Sequence, residues 1–413
     1  MIERPFVPEA IRNFEFVGHT DLGGAGDAMQ IMLANNHAYI GHRVTRGISV
    51  VDVGDPRRPK QVNFLGIHPN SWSIHLQAHG DLLLAIEELD FKSFISQKDY
   101  YASSIKDMDS ATFGRRGEDF SAGMRVYDIS DPANPVAIGF LEVEGLGIHR
   151  LWWVGDRYAY ASALLDGYTD HILIIIDLQD PTRPREVGRW WMPGMWKAGG
   201  ESDLPAGRVA LHHAVVVDDI AYGCWRDGGL TLVDVKDKSA PKLISHRNWS
   251  PPFGGGTHSA LPLPGRDLLV VADEAVLDID QEPYKHTWVF DIRDKANPVS
   301  ISTFPIPNDQ DYVKKGGHFG PHNLHENRPG SFQSEEIIFA TYQNAGLRAF
   351  DISDPFRPQE AGYFVPPPPE KWFEPMRQRM KVIHTGDLFV DANGLAYVSD
   401  YDAGMYIVQW KGK

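Results

Sequence analysis

The chain repeats one short motif six times, and this repetition constrains the fold more than any other feature. In each copy an apolar strand ends in an aspartate, a second aspartate follows three residues later, and a proline follows four residues after that. Aspartate accepts hydrogen bonds from the backbone ahead of it and proline fixes φ, so each copy predicts a tight turn between two strands. The first aspartates of the copies are Asp52, Asp128, Asp177, Asp234, Asp291 and Asp351.

A second pattern precedes the motif and completes a repeating unit. An apolar strand, a polar turn and a further strand follow one another in stretches such as "WWVGDRYAYAS" and "VVVDDIAYGC". The two patterns together give four short strands, and units of about 40–50 residues with four strands are typical of β-propeller blades. A seventh unit supplies three strands at the end of the chain, and residues 12–19 match the outer strand that it lacks.

We therefore predict an all-β fold, namely a single-domain, seven-bladed β-propeller. Pairing of the N-terminal strand 12–19 with the last blade is expected to close the ring and to remove an exposed sheet edge. A lid-like insertion is expected at residues 91–123. The predicted blades are residues 20–66, 67–145, 146–195, 208–252, 256–307, 320–366 and 381–413.

The repeated phrases also resemble those of a known family. "VDVGDP", "YDISDPANP" and "FDISDPFRP" are similar to the repeats of the LVIVD-repeat β-propeller family, and the likeness covers nearly the whole chain. More distantly, they are similar to a phrase of the selenium-binding proteins (methanethiol oxidases), which are seven-bladed propellers. The resemblance implies the fold, and because one fold supports many functions it implies no activity.

Charge, cysteine content and hydropathy exclude several classes of binding partner and of site. The net charge of −15 argues against nucleic acid and against an anionic membrane, because phosphate binding needs clustered lysine and arginine. Cys224 is the only cysteine, which excludes an internal disulfide and a cysteine-based zinc site. The first residues do not resemble a signal peptide, and no segment approaches the roughly 18 apolar residues of a membrane helix. We expect a cytoplasmic protein that acts on a small molecule.

Histidine recurs just before the inner strand of six predicted blades. The inner strands of a propeller surround its axis, so these imidazoles are expected to converge, with Asp27 at the matching position of the first blade. Neutral imidazoles bind iron, copper, zinc or manganese, and three or four of them leave a position open for substrate. The alternative is that each histidine hydrogen-bonds locally in a turn. The predicted metal ligands are His75, His149, His213, His258, His322 and His384, with His212 as the alternative to His213.

The ends of the second strands return to the same face and supply further candidates. Carboxylates there are predicted to hold the histidines or to act as a general base, and arginines to bind a substrate carboxylate. The predicted catalytic residues are Glu87, Arg226, Asp273, Glu274 and Asp400. The predicted substrate-binding residues are Arg43, Trp190, Trp191, Trp225 and Tyr342. Alternatively, the charged residues face water at strand ends and the aromatic residues anchor long loops.

These features favour a metal-dependent enzyme acting on a small, partly aromatic or apolar substrate. The all-imidazole arrangement resembles the axial iron site of carotenoid-cleaving oxygenase propellers, which favours iron or copper and oxidase or oxygenase chemistry. Manganese or zinc would instead indicate a lyase or hydrolase that uses a histidine as general acid or base. A non-enzymatic propeller that binds a protein partner is the third hypothesis, and it predicts histidines hydrogen-bonded within their own blades.

Overall fold

The computed structural model describes residues 6–90, 119–204, 207–278, 282–373 and 381–412, and these residues form an all-β structure. The strands of the first part of the chain are β1 (Ala10–Arg12), β2 (Phe14–Thr20), β3 (Ala28–Ala34), β4 (His37–His42), β5 (Gly47–Asp52), β6 (Lys60–Gly66), β7 (Ser71–Trp72), β8 (Leu76–His79) and β9 (Leu82–Leu89). Those of the middle part are β10 (Gly123–Asp128), β11 (Val136–Glu142), β12 (Gly145–Trp152), β13 (Tyr158–Leu165), β14 (Ile172–Asp177), β15 (Arg185–Trp190), β16 (Val209–Val217), β17 (Ile220–Arg226), β18 (Leu230–Asp234) and β19 (Lys242–Arg247). Those of the last part are β20 (Thr257–Leu263), β21 (Leu268–Asp273), β22 (Thr287–Asp291), β23 (Val299–Thr303), β24 (Ile337–Thr341), β25 (Leu347–Asp351), β26 (Gln359–Val365), β27 (Thr385–Val390), β28 (Leu395–Asp400) and β29 (Gly404–Trp410).

Helical structure among the described residues is confined to single turns. Tyr312–Lys315 forms one turn of α-helix. The 3-10 turns are Leu22–Gly24, Lys197–Gly199 and Pro264–Arg266. No helix in the described part of the chain is long and apolar enough to span a membrane.

Neighbouring strands pair antiparallel in runs of four. The runs are β3–β6, β8–β11, β12–β15, β16–β19 and β20–β23, while β24–β26 and β27–β29 form runs of three that gain β1 and β2, respectively, at their outer edges. The pair Gly147–Glu88 joins the run β8–β11 to the run β12–β15 in one sheet. The pair Arg226–Thr257 joins the run β16–β19 to the run β20–β23 in another.

The repeated aspartate motif makes the turn that the sequence predicts. Each first aspartate accepts a hydrogen bond at its Oδ1 from the backbone N–H two residues ahead, at 2.8–3.0 Å. The carbonyl of each second aspartate then accepts from the N–H three residues ahead, at 2.9–3.2 Å. This confirms the turn chemistry, and it explains why one motif recurs wherever a third strand turns into a fourth.

The N-terminal strand β2 pairs with the last strand of the chain. The register of β2 on β29 runs from Phe14 opposite Trp410 to Thr20 opposite Met405, so β2 is the outer neighbour that the sequence predicts at residues 12–19. The preceding strand β1 adds to the edge of β26, a pairing that the sequence does not predict. The first and the last strands of the described residues are thus held in sheets.

The hydrophobic core lies between neighbouring runs of strands. One cluster joins Leu232 of β18 to Val271 of β21, and another joins Val270 of β21 to Ile338 of β24. Most strands are buried on both faces, which is why they are nearly continuously apolar and do not alternate strictly. Of the predicted lid at 91–123, residues 91–118 lie outside the described residues.

Candidate metal centre

Five histidines from five successive units lie against one another. Ring centroids are 5.2 Å apart for His75 and His149, and 5.1 Å apart for His149 and His212. From His212 the next centroid, that of His258, is 3.6 Å away, and that of His322 lies 4.7 Å beyond. His149, His212 and His258 lie in the first strands of their units and His75 directly precedes β8, so the repeat itself brings these rings together. All five are buried.

Four of these imidazoles line a small cavity of about 30 Å³. A volume of this size holds on the order of one or two water molecules, so it can accept an ion together with a small ligand group. The other lining residues are Met29, Arg43, Trp72, Ile74, Arg226, Glu274 and Tyr401. The cavity therefore combines imidazoles, two arginines, one carboxylate and an apolar wall.

His75, His149 and His212 form a group that could hold a metal ion. One ring nitrogen of each lies within 4.8 Å of those of the other two. Burial lowers the pKa of His75 and of His212 well below the usual histidine range, so both are neutral at pH 7. Neither ring nitrogen of His75 has a hydrogen-bond partner among the described residues, although its side chain is fully buried. Unpaired buried polar atoms are rare in proteins, and a metal ion would bind one of these two nitrogens.

Glu88 fixes the orientation of His149. The Nδ1–H of His149 donates to Glu88 Oε2 at 2.9 Å, which leaves Nε2 as the unprotonated nitrogen. The Nε1–H of Trp72 also donates to Glu88 Oε2, at 2.9 Å. Burial alone would raise the pKa of Glu88, but His171 and His149 lower it to about 2, so this carboxylate is permanently charged. A carboxylate behind a histidine is the usual second layer of a protein metal site.

A further histidine lies behind Glu88. His171 donates from Nε2 to Glu88 Oε1 at 2.5 Å and from Nδ1 to Asp170 Oδ1 at 2.6 Å, so both ring nitrogens carry protons. Burial opposes this charge, yet Glu88 and Asp170 raise the pKa of His171 to about 9. Arg208 in turn donates to Asp170 at 2.8 Å. The result is a buried line of alternating charges that ends at His149.

A second group of possible ligands borders the first. Glu274 lies with Oε2 at 3.3 Å from His258 Nε2 and with Oε1 at 3.3 Å from His322 Nε2. Ligand atoms of these three residues also lie within 4.8 Å of one another. Burial lowers the pKa of His258 well below its usual range and that of His322 to about 4, so both rings are neutral at pH 7.

Two arginines place positive charge at the cavity. Arg226 forms an ion pair with Glu274 through its Nη1. The guanidinium carbon of Arg43 lies 3.8 Å from the centre of the Tyr401 ring, which is a cation–π contact. Both arginines are buried, so an anionic group in the cavity would meet charges that water does not screen.

A separate set of buried charges lies further along the inner strands. Glu326 accepts from His213 Nε2 at 2.8 Å and lies 3.4 Å from Arg150 and 3.3 Å from Arg328. Arg150 also lies 3.7 Å from Asp387, whose pKa burial raises to about 7. This network bounds the five histidines on one side.

Two of the predicted metal ligands lie outside the five-histidine cluster. The structure places His212, and not His213, with the other imidazoles, because successive residues of a strand face opposite sides and His213 is directed to Glu326. His384 instead accepts a hydrogen bond at Nε2 from the backbone N–H of His318 at 3.1 Å, and its ring stacks on Tyr401. His75, His149, His258 and His322 occupy the predicted place.

Three of the predicted catalytic carboxylates are directed away from the cavity. Glu87 forms an ion pair with Arg125 at 2.5 Å, so its neighbour Glu88 is the glutamate that reaches the histidines. Asp273 accepts hydrogen bonds from two tryptophan N–H groups and one threonine hydroxyl. Asp400 accepts from three backbone N–H groups and so fixes a turn. Arg226 and Glu274, in contrast, do line the cavity.

Among the predicted substrate-binding residues, Arg43 alone lines the cavity. Trp190 packs edge-on against the buried Trp225, with centroids 5.3 Å apart, and Trp191 packs in the same way against Tyr168. Tyr342 packs against Phe319, also at 5.3 Å. These aromatic residues pack between strands and loops, as the alternative interpretation of the sequence proposes.

The sequence prediction did not include the residues behind His149. His171 and Asp170 precede the third strand of their unit, whereas the histidine pattern concerns first strands. The only sequence signal for them is the polar "TDH" directly before the apolar "ILIII". Tyr401 likewise follows a second strand without any motif of its own.

Comparison with known proteins bears on the repeats and on the fold. Residues 25–63, 119–141 and 215–248 match the family model of the LVIVD repeat, which confirms the resemblance for the copies of the motif that begin at Asp52, Asp128 and Asp234. The chain contains LVIVD repeats. No curated protein matches this chain. Its similarity to selenium-binding proteins stays a prediction.

Solved structures resemble the LVIVD-repeat chain over nearly its whole length. A chain from the crystal structure of a mitotic checkpoint complex matches with a TM-score of 0.56 and 9% identity, covering 100% of this chain and 99% of that chain. The β-propeller domain of Cps50 (Swd1) from Myceliophteria thermophila matches with a TM-score of 0.54 and 11% identity, covering 93% of this chain and 97% of that chain. At such identities the likeness concerns the fold alone, which is that of a β-propeller.

Proposed function

We propose that the strands form a closed ring of seven blades. Five runs of four strands are complete, the segment around Leu324 bridges to Ala340 as the first strand of a sixth, and β2 supplies the fourth strand of the last. One hydrophobic cluster contains Ile31 of β3 together with Ile407 of β29. Contact between the first complete run and the last supports closure, since an open row of blades would leave both surfaces exposed.

We propose that this β-propeller is a cytoplasmic, metal-dependent oxidoreductase with a divalent transition metal bound by His75, His149 and His212. The observation that carries the proposal is the hydrogen bond from His149 Nδ1 to the buried carboxylate of Glu88, which leaves Nε2 ready to bind a cation. A carboxylate that accepts from the second ring nitrogen is the usual support of a metal-binding histidine, because it fixes the tautomer and the orientation of the ring.

The donor set favours particular metals and a particular kind of substrate. Three neutral imidazoles without a thiolate suit iron or copper, and also zinc or manganese. Bound iron or copper would supply oxidase or oxygenase chemistry. A cavity of about 30 Å³ admits only the reacting end of a small organic substrate, and the chain's own residues would hold its anionic group between Arg43 and Arg226, beside Met29, Trp72 and Ile74.

The contacts of the histidines argue against a purely structural scaffold. Such a scaffold predicts imidazoles hydrogen-bonded within their own blades. Instead His212 Nδ1 donates to the carbonyl of His258 at 2.9 Å and His322 Nδ1 donates to the carbonyl of Gly386, so both bonds cross to the next unit. These crossing bonds fix the rings relative to one another, which a shared metal site requires.

Metal analysis of protein purified without a histidine tag tests the proposal. Wild-type protein is expected to contain iron or copper, and His75→Ala, His149→Ala and His212→Ala are expected to lose the cation that these three residues bind. His37→Ala serves as the control, because this histidine is only partly buried and its Nδ1 contacts its own turn. Manganese or zinc would move the proposal to lyase or hydrolase chemistry. A metal-free wild type, or unchanged metal in all three variants, would reject the metal site.

A further inference from the structure

The two groups of possible ligands border one cavity, and a single metal ion cannot be coordinated by both groups in their present positions. The lone pair of an imidazole nitrogen lies in the plane of the ring, so a metal ion binds in that plane. The rings of His212 and His258 are stacked, with centroids 3.6 Å apart and planes inclined by 24°. Planes that stack in this way do not meet within a metal–nitrogen bond of about 2.1 Å, so these two rings cannot share an ion without leaving their stacked position.

The second group has the composition of an independent site. His258 and His322 each direct Nε2 toward Glu274, at 3.3 Å from its two different oxygens. Two neutral imidazoles and one carboxylate are a common set of ligands for a divalent transition metal. The carboxylate supplies a negative charge that the first group lacks.

One buried ring nitrogen of this second group is left without a partner, and it is not the nitrogen that faces Glu274. His258 Nδ1 has no hydrogen-bond partner among the described residues although the ring is 1% exposed. Glu274 is balanced by the guanidinium of Arg226. A cation between His258, His322 and Glu274 would share the carboxylate with Arg226, and its bonds would supply the interactions that the two Nε2 atoms now make only at 3.3 Å.

We propose that the cavity is a two-metal centre, in which His75, His149 and His212 bind one divalent cation and His258, Glu274 and His322 bind a second. This inference rests on the proposed function, since the first cation is the one proposed above. In two-metal protein sites the ions lie about 3.5–4 Å apart and hold the reacting group of a substrate from both sides. Two cations beside Arg43 and Arg226 also make the cavity strongly positive, so the substrate class is a small organic anion.

Titration of chelator-treated full-length protein with Co²⁺ tests this, with visible absorption and bound metal as the readouts. Wild-type protein is expected to bind two equivalents. Glu274→Gln and His322→Gln, which keep the side-chain volume, are expected to bind one. Asp273→Asn is the matched control, because Asp273 is the adjacent buried carboxylate and is directed to Trp249 and Trp288, and it is expected to keep two equivalents.

The outcomes separate this inference from the proposed function. Saturation of the wild type at one equivalent, with His75→Ala abolishing binding, would overturn the two-metal centre and leave the single site. No binding by the wild type would overturn both. Circular dichroism of each variant guards against misfolding, and the one-equivalent stoichiometry of a folded Glu274→Gln protein is itself a signal that an unfolded protein would not give.

Discussion

The replacement Glu88→Gln tests the support of His149 most sharply. Glu88 accepts hydrogen bonds from His149, His171 and Trp72, and glutamine keeps its volume but offers one acceptor oxygen and one NH₂ group. If the NH₂ group faces His149, Nδ1 must become the acceptor, the proton moves to Nε2, and the ring can no longer bind a cation.

The expected loss is 10–100-fold in metal affinity, which is the usual effect of removing the partner of a metal-binding histidine. This corresponds to about 1.4–2.7 kcal/mol. Folding stability should fall as well, because the pKa of His171 rises from 6.5 to about 9 even though burial lowers it, a net preference of about 3 kcal/mol for the charged form that its two carboxylates supply. Glu88→Gln removes one of these carboxylates.

Competition of the protein with a chelator for Co²⁺ measures the affinity, and urea denaturation measures the stability. Glu87→Gln is the matched control, since the adjacent glutamate pairs with the partly exposed Arg125 and is expected to change the affinity less than twofold. Equal affinities for Glu88→Gln and wild type would refute the reasoning, and so would an equal loss in both variants.

Two further predictions concern stability. The native pKa of Asp387 is about 7 because of burial, against 3.8 for the free residue, so the unfolded state ionises first and stability falls as the pH rises from about 4 to about 7. The free energy of unfolding of Asp387→Asn, measured by urea denaturation, should therefore increase relative to that of wild type by up to about 4 kcal/mol between pH 4 and pH 8. A difference between the two proteins that does not vary with pH would contradict the assignment. Phe14 of β2 packs on Trp410 and Phe339, so Phe14→Ala should lower the free energy of unfolding by about 3–5 kcal/mol. Val7 is 68% exposed, so Val7→Ala should lower it by less than about 0.5 kcal/mol. Similar unfolding midpoints for these two variants would show that the N-terminal strand does not hold the last run.

The strand order could be predicted from the sequence because the signals are local. Each aspartate motif forms its turn from residues within a few positions, and the six copies mark where third strands end. Residues 12–19 are predicted as the outer neighbour of the last blade because they repeat the fourth-strand pattern, and the structure pairs β2 (Phe14–Thr20) with β29. The pairing of β1 with β26 was not predicted, because three residues carry no pattern and the contact depends on how distant units meet.

The candidate site could be predicted in position but not in detail. A repeat puts equivalent residues at equivalent places, so His75, His149 and His258 could be brought together without knowing the structure. The choice between His212 and His213 could not be made in this way, since adjacent residues on a strand face opposite sides and a shift of one residue reverses both.

For the same reason the sequence could not identify the carboxylate that supports the histidines. Glu87 and Glu88 are consecutive, and the sequence does not tell which one faces the histidines. His171 reaches Glu88 from a third strand, a contact between units that no local pattern encodes. Tertiary packing therefore determined the residues that surround the site, while the repeat determined the imidazoles themselves.

Anomalous diffraction from crystals of the untagged protein, recorded at the absorption edge of the metal that co-purifies, tests the central claim most directly. The account predicts a peak within about 2.1 Å of one ring nitrogen each of His75, His149 and His212. The absence of a peak at these three nitrogens would contradict it, whether or not metal is found at His258, Glu274 and His322.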